Sequence, residues 1–267
     1  MEIKLWREIL EPYSLAVDEL IIKFQHVQKQ YQKSNDYCPI ELVEGRVKNI
    51  GSILEKGNRK HIPLEQFEEQ MRDIAGLRLI CPFVEDCYQV AEIIRKRTDM
   101  VVIGEEDYIA EPKQSGYRSL HMTIRYTVQT ITGPKAIYCE IQIRTMGMNT
   151  WSTIEHSLQY KYKYNVPQDM SRRLYDIALG MLDNDRELSA VRDDIMAARA
   201  EKEEMERIVM DILNTIQNLY RLASKREAER IQEEFFRIYN ENDLGKLEHF
   251  ATELDIIAEG YRAQSLT

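Results

Sequence analysis

The polar residues best placed to do chemistry alternate with apolar ones along Lys135–Thr145. Successive side chains of a strand point to opposite faces, so such a segment has one polar and one apolar face. The polar face carries Tyr138, Glu140, Gln142 and Arg144, opposite Ile137, Cys139, Ile141 and Ile143. A solvated outer face is the simplest interpretation. A preceding segment carries a second alternating set, His121, Thr123 and Arg125. Two adjacent polar faces predict the floor of a site.

A loop of mixed chemistry leads into these strands, with the sequence E-P-K-Q-S-G-Y-R-S-L-H at residues 111–121. Gly116 allows a tight turn. Lys113, Tyr117 and His121 supply a cation, an aromatic ring and a hydrogen-bonding group, which suit a nucleotide whose base stacks on the tyrosine. An ordinary turn is the alternative interpretation.

A basic patch lies in R-V-K-N-I-G-S-I-L-E-K-G-N-R-K, residues 46–60. If this stretch is helical, Ser52, Lys56, Arg59 and Lys60 share a face, because they recur at three- and four-residue intervals. Clustered like charges repel unless an anion compensates them, which favours a phosphate cradle. A solvated basic helix end is the alternative.

An acidic residue capable of binding a cation precedes an apolar run. In R-D-I-A-G-L-R-L, Asp73 precedes the run and Arg78 lies within it. A charge inside an apolar strand needs a structural or functional reason. Carboxylate oxygens suit Mg²⁺, and Glu140 on another strand could share the ion. An Asp–Arg structural pair is the alternative.

The elements that must position these residues are short strands alternating with helices. Helical periodicity covers Trp6–Tyr31 and predicts a helix at Val84–Arg97. Strands are predicted around Ile40–Glu44, Ile74–Cys81, Val101, Ser119–Val128 and Lys135–Thr145, with T-G-P as a turn between the last two. We therefore expect a mixed sheet flanked by helices, an α/β (α+β) fold.

The last hundred residues have a different composition. All 7 prolines fall at or before Pro167, which predicts a domain at residues 1–168 and a long helical C-terminal extension at 169–267. Apolar residues of the extension recur at spacings of three and four: Met205, Ile208, Ile212, Ile216 and Leu219. Such a stripe favours packing or oligomerisation over chemistry, through a coiled-coil seam or a buried helix face.

Composition bounds the class of protein. With 43% hydrophobic residues, the 267-residue chain can bury a sizeable core. Its net charge of -9 argues against a surface that grips nucleic acid or acidic membrane throughout, so any anion site must be a local patch. The 4 cysteines form no C-x-x-C pair and are typical of a reduced cytoplasmic protein. We find neither a signal peptide nor an apolar run that could span a bilayer.

Four ordered motifs carry a resemblance to a known family. They are G-R-V-K, D-I-A-G-L-R-L, D-Y-I-A-E-P-K-Q-S-G-Y-R-S-L-H, and E-I-Q-I-R-T-M-G-M-N-T-W-S-T-I-E-H with the following Y-K-Y-K. Together they span residues 43–164 and resemble the synthetase domain of the RelA/SpoT-type alarmone enzymes, particularly the short RelQ and RelP group. The resemblance implies a nucleotidyltransferase-like fold that binds ATP beside GDP or GTP.

The resemblance also assigns residues by motif. The ATP site would contain Arg46 and Arg78 around adenine, and Ser52, Lys56 and Arg59 on the phosphates. The GDP or GTP site would contain Lys113, Tyr117, His121, Gln142 and Asn149, with Tyr117 stacked on guanine. Asp73 and Glu140 would be the catalytic pair that coordinates the Mg²⁺ cofactor.

The implied reaction is (p)ppGpp synthesis. The 3′-hydroxyl of GDP or GTP attacks the β-phosphorus of ATP, AMP leaves, and cations neutralise the phosphate oxygens. Glu140 is a candidate general base, with metal coordination alone as its competing role. The hydrolase domains of longer relatives use a His-Asp dipeptide. No histidine here precedes an aspartate, so we expect synthesis without hydrolysis.

The resemblance further implies a homo-oligomer, with a tetramer known for the RelQ group. Regulatory binding of (p)ppGpp or single-stranded RNA is a further hypothesis. The first helix offers Lys23, His26 and Lys29 but also Ile21 and Ile22, so its residues leave activation by the product open. The choice between GDP and GTP is open as well. The alternative function is a non-catalytic nucleotide- or RNA-binding regulator on the same fold.

Overall fold

A computed structural model describes residues 6–161, 167–222 and 224–264 of the chain. The last residues of the Y-K-Y-K segment, 162 and 163, lie outside these ranges. The described helices are α1 (Trp6–Ser34), α2 (Ile50–Lys60), α3 (Phe67–Gln70), α4 (Val84–Arg95), α5 (Met146–Lys161), α6 (Gln168–Leu222), α7 (Lys225–Asn240) and α8 (Leu244–Gln264), with a 3-10 turn at Leu64–Gln66. The strands are β1 (Leu42–Val47), β2 (Ala75–Cys81), β3 (Val101–Asp107), β4 (Leu120–Thr130) and β5 (Gly133–Thr145).

The five strands form one mixed sheet in the order β1-β2-β5-β4-β3. Strands β2 and β5 are parallel, and the other neighbouring pairs are antiparallel. The expected mixed sheet flanked by helices is thereby confirmed. Both candidate acidic residues lie at its central strands, since Asp73 is two residues before β2 and Glu140 lies on β5.

The register aligns the polar residues in two rows across one face of this sheet. One row is Glu44, Arg78, Gln142, His121 and Glu106. The next row is Arg46, Gly76, Glu140, Thr123 and Gly104. Residues far apart in the chain are therefore side by side in the fold.

The opposite face of the sheet is the core. Ile137, Cys139, Ile141 and Ile143 of β5 are at most 2% exposed, as their alternation predicts. Helices α1 and α4 contribute to this core with residues such as Leu20, Phe24, Val90 and Ile94. Gly45 of β1 brings the backbone close to α1, because a Cβ there would lie 2.7 Å from the Val17 side chain. The apolar face thus leaves the other face free for polar chemistry.

Several element boundaries differ from the sequence-based prediction. Strand β1 runs from Leu42 to Val47, so Arg46 lies in a strand and not at the start of a helical stretch. Its pairing with β2 fixes the backbone of both strands through Val47. Helix α4 ends at Arg95, where Lys96 and Arg97 close the last turn. Helix α5 was not assigned from periodicity.

The chain forms two compact units, which we call the α/β unit (residues 1–189) and the helical unit (residues 190–267). The boundary falls within α6, so the start of that helix belongs to the α/β unit. The assignment of the catalytic domain to residues 1–168 stays a prediction. In the helical unit, Ile212, Ile216 and Leu219 of α6 are buried with residues of α7 and α8. None of the described helices is long and apolar enough to cross a membrane.

Candidate active site

An open cavity of about 560 Å³ lies over the polar face of β1, β2 and β5. Its lining includes charged residues from three strands and from the segments that precede β2 and follow β1: Glu44, Arg46, Lys48, Asp73, Arg78 and Glu140. Gly76 leaves room at the centre of the floor. A Cβ there would meet only backbone oxygens of Arg46 and Glu140, at 3.8 and 4.0 Å. The cavity is therefore lined by both basic and acidic side chains. Gly76 leaves open space on its floor between Arg46 and Glu140.

Asp73 lies between two lysines. Its Oδ2 atom is 2.6 Å from Nζ of Lys48 and 2.5 Å from Nζ of Lys56. Burial raises the pKa of this carboxyl, but the hydrogen bonds and charges of the two lysines outweigh that effect and hold its pKa below the usual value. Its Oδ1 atom is buried and has no hydrogen-bond partner among the described residues. Asp73 is thus an ionised carboxylate with one oxygen available to a ligand.

Glu140 is held by two neighbours on the sheet. Nε2 of Gln142 donates to its Oε2 atom at 2.7 Å, and Nδ1 of His121 lies 3.3 Å from Oε1. Burial raises the pKa of Glu140, and the contacts with His121 and Gln142 more than offset this, so the net pKa is lowered. The negative charge of Asp73, which lines the same cavity, acts in the opposite direction and raises the pKa of Glu140.

The two arginines expected to bind adenine occupy adjacent strands. Arg46 pairs with Gly76 across β1 and β2, and Arg78 pairs with Glu44 two residues further along. Both line the cavity. Because Gly76 has no side chain, the surface beside Arg46 is open to a flat group.

A second cluster adjoins the cavity at the start of β4. The rings of Tyr117, Tyr108 and His121 meet edge to face, with centroids 5.2–6.1 Å apart. Nζ of Lys113 lies 4.2 Å from the Tyr108 centroid and 5.1 Å from that of Tyr117. This combination of ring faces and a cation suits a base with a phosphate. Tyr108 was not predicted, although it stands in the motif D-Y-I-A-E-P-K that precedes Lys113.

Arg144 of β5 connects this cluster to the sheet through hydrogen bonds. Its side chain is only 2% exposed, so it does not reach the surface as the strand alternation alone suggests. Its guanidinium donates to the Tyr117 hydroxyl at 2.8 Å, to the Gln142 amide oxygen, and to Ser152 at 2.9 Å. The Tyr117 hydroxyl lies 2.7 Å from Nε2 of His121. Since Nδ1 of His121 also lies 3.3 Å from Oε1 of Glu140, one network of polar contacts joins the aromatic cluster to Glu140.

Asn149 lies in the first turn of α5, and its Oδ1 atom is buried without a partner among the described residues. The start of α5 is fixed by Thr145, whose hydroxyl accepts from the Met148 amide at 3.0 Å and donates to Asp185 of α6 at 2.6 Å. Burial raises the pKa of Asp185. A Cβ on Gly147 would lie 2.8 Å from Asp185, so this contact also requires glycine. Sequence analysis missed Asp185, because it lies in the stretch assigned to the extension.

Of the residues predicted for the ATP site, the three on α2, Ser52, Lys56 and Arg59, are not among those that line the cavity. Ser52 lies in the first turn of α2, where its amide donates to the Asn49 side chain, and Arg59 is exposed in the last turn. Lys56 lies between them and reaches Asp73. Lys48 lines the cavity but was not predicted as a site residue. The signal that could have identified it is its place in the G-R-V-K motif. The roles of Ser52 and Arg59 stay predictions.

Comparison with known proteins places the chain among alarmone enzymes. Residues 45–165 match the model described as "Region found in RelA / SpoT proteins". The GTP pyrophosphokinase YjbM of Bacillus subtilis is 46% identical over 200 residues, 75% of this chain and 94% of the relative.

Two crystal structures of small alarmone synthetase 1 from B. subtilis also match. The structure bound to its product pppGpp has a TM-score of 0.69 and 47% identity over 71% of this chain and 97% of that chain. The structure bound to AMPCPP has a TM-score of 0.64 and 41% identity over 72% and 97%. About a quarter of this chain is thus left uncovered.

Proposed function

Since this chain belongs to the RelA/SpoT family, we propose that it is a GTP pyrophosphokinase that transfers the diphosphate of ATP to the 3′-hydroxyl of GDP or GTP and releases AMP. The observation that carries this proposal is the pair Asp73 and Glu140. They are far apart in the chain, yet both line one cavity with lysines and arginines, and both have a lowered pKa. A diphosphate transfer needs such an arrangement, because positive charge must neutralise the phosphate oxygens while carboxylates bind a cation or accept a proton.

The cavity over β1 and β2 is the proposed ATP site. Arg46 and Arg78 would hold the adenine ring beside Gly76, and a guanidinium plane stacks well on a flat ring. Lys48 and Lys56 would turn from Asp73 towards the phosphates, with Ser52 and Arg59 further along α2. The relative bound to AMPCPP, an analogue of ATP, supports an adenine nucleotide as donor.

Mg²⁺ fits the donor atoms that the chain offers. No group of three or more His, Cys, Asp or Glu in the described ranges forms a metal site by itself. Mg²⁺ in phosphoryl-transfer sites is commonly bound by one or two carboxylates together with substrate phosphates. The unpartnered Oδ1 atom of Asp73 and the carboxylate of Glu140 supply that pair. When bound, Mg²⁺ would neutralise charge on the transferred phosphate groups.

The aromatic cluster is the proposed acceptor site. Guanine would stack on Tyr117, Lys113 would move from the ring faces to a phosphate, and Asn149 and Gln142 would supply hydrogen bonds. The network through His121 would hold Glu140 ionised and oriented to take the proton of the 3′-hydroxyl. The relative bound to pppGpp supports a guanosine acceptor without distinguishing GDP from GTP here.

We further propose that the protein acts in the cytoplasm as a homo-oligomer, with the tetramer of the RelQ group as the expected state. The unpaired state of Cys38, Cys81, Cys87 and Cys139 supports a reducing compartment. Regulation by (p)ppGpp or single-stranded RNA remains a hypothesis for α1.

The test is direct. The protein is mixed with Mg²⁺, labelled ATP and GDP or GTP, and the products are separated to detect AMP and a guanosine with a 3′-diphosphate. We expect Glu140→Gln to lose turnover while it still binds nucleotide, and Glu69→Gln, an exposed residue of α3, to retain full activity. A wild-type protein that forms neither product, yet binds nucleotide, would favour the non-catalytic regulator.

A further inference from the structure

The apolar stripe of α6 continues beyond the part that the chain itself covers. From Leu188 onwards, residues recur alternately three and four positions apart, as the a and d positions of a heptad. These residues are Leu188, Val191, Ile195, Ala198, Lys202, Met205, Val209, Ile212, Ile216 and Leu219. Lys202 is the one polar residue in the series. A heptad repeat of this length, with one polar residue, is typical of a helix that packs along a second helix.

The two ends of this stripe differ in exposure. Ile212, Ile216 and Leu219 are at most 4% exposed, since α7 and α8 cover them. Val191 and Ile195, in the same heptad frame, are 45% and 62% exposed. Further along the helix, residues at the same spacing are buried against other helices. The exposed residues Val191 and Ile195 therefore suit contact with a partner helix.

The charges beside the exposed part identify that partner. In this frame Asp194 occupies a g position and Arg199, which also lies 2.8 Å from Glu203 of its own helix, the following e position. In a parallel pair, the g residue of one helix faces the following e residue of the other. Two copies of this helix would thus match acid with base. In an antiparallel pair, g faces g and e faces e, so like charges would meet.

We propose that the segment Val191–Lys202 of α6 pairs in parallel with the same segment of a second copy of this chain. The pairing ends at Lys202. A single lysine at an a position fixes register at some cost in stability. Beyond it, Glu201 and Glu206 would face each other and repel. A groove of about 430 Å³ begins beside the end of this segment, lined by α6 from Ala198 to Val209 and by Tyr239 and Asn242.

The paired segment is less than two heptads long, so this contact is weak by itself and is best detected by trapping. In a parallel pair, two a positions lie side by side, whereas f positions point away from the partner. We expect Ile195→Cys in the full-length protein to form a disulfide-linked dimer on mild oxidation with copper phenanthroline. Ala200→Cys, exposed at an f position, and the wild-type protein should remain largely monomeric in denaturing gels.

The charge pattern supplies a second, matched test in the Ile195→Cys background. Arg199→Glu places acid opposite acid and should abolish most of the cross-linked dimer. The added change Asp194→Lys restores the complement and should recover it. Absence of the dimer in Ile195→Cys, an equal yield in Ala200→Cys, or indifference to Arg199→Glu would each overturn the proposal. Synthetase activity, which does not depend on these positions, shows that each variant is folded.

Discussion

The two units of this chain bury different kinds of side chain. All buried polar residues of the described ranges belong to the α/β unit, and they include Arg144, His121 and Asp185. The buried residues of the helical unit are apolar, and its described ion pairs lie on the surface. Burial of a polar group costs free energy unless its partners compensate. The buried polar network of the α/β unit therefore indicates a chemical role. The apolar core of the helical unit indicates a role in packing.

This contrast predicts that removal of one charge has a large effect on turnover in the α/β unit and none in the helical unit. Asp73→Asn removes the carboxylate that two lysines hold and that offers an oxygen to a cation. We expect turnover to fall about 10³-fold, the size of effect found when a group that stabilises transition-state charge is lost. Asp211→Asn, an exposed aspartate of the helical unit, is the matched control and should leave turnover unchanged. Steady-state kinetics with both nucleotides measure the difference, and a mild effect of Asp73→Asn would contradict the assigned role.

A second comparison concerns a substitution in the helical unit that should lower stability without lowering activity. Phe235 is 2% exposed in the core of the helical unit, and its neighbour Phe236 is 48% exposed. Phe235→Ala should destabilise that unit by about 3–5 kcal/mol, because a large buried ring leaves a cavity. Phe236→Ala should change little. We expect the thermal transition of the helical unit to shift while synthetase activity at low temperature is retained. Equal loss of activity and stability would show that the units are not separable.

A smaller effect is expected where α6 supports the site. Asp185→Ala removes the acceptor that orients Thr145, and with it the cap of the helix that carries Asn149. A lost buried hydrogen bond costs about 1–3 kcal/mol, so we expect KM for the guanosine nucleotide to rise roughly tenfold. KM for ATP should change less, since the ATP cavity lies on the other side of β5.

Two further variants separate this positioning role from a general loss of stability. Asp185→Asn keeps an oxygen that can accept from Thr145 and should recover most of the affinity. Asp183→Ala changes an exposed residue of the same helix and should have no effect. If Asp185→Ala raises both KM values equally, its role is structural only.

The sequence predicted most of the strands and the polar face, because alternation over Lys135–Thr145 follows directly from strand geometry. It also predicted that Asp73 and Glu140 come together in one site, and both line the same cavity. Their catalytic role stays a prediction. It did not predict Asp185 or Tyr108. Their roles depend on contacts across the fold, between α6 and α5 or around β4, which no local periodicity encodes. Arg144 shares the alternation of an exposed residue, and only the packing of Ser152 and Tyr117 over it shows that it is buried.

The smallest effect is expected for an ion pair of the helical unit. Arg207 and Glu204 form a hydrogen-bonded pair on α6, and both side chains are solvent-exposed. Water already stabilises such charges, and holding two long side chains together opposes the attraction between them. Glu204→Gln should therefore leave the melting temperature and the activity unchanged, although the pair has better geometry than the 3.3 Å contact of Glu140 with His121. Calorimetry of Glu204→Gln, with Glu140→Gln measured under the same conditions for comparison, checks this melting temperature. A clear loss of stability in Glu204→Gln would mean that surface charge, and not only apolar packing, holds the helical unit together.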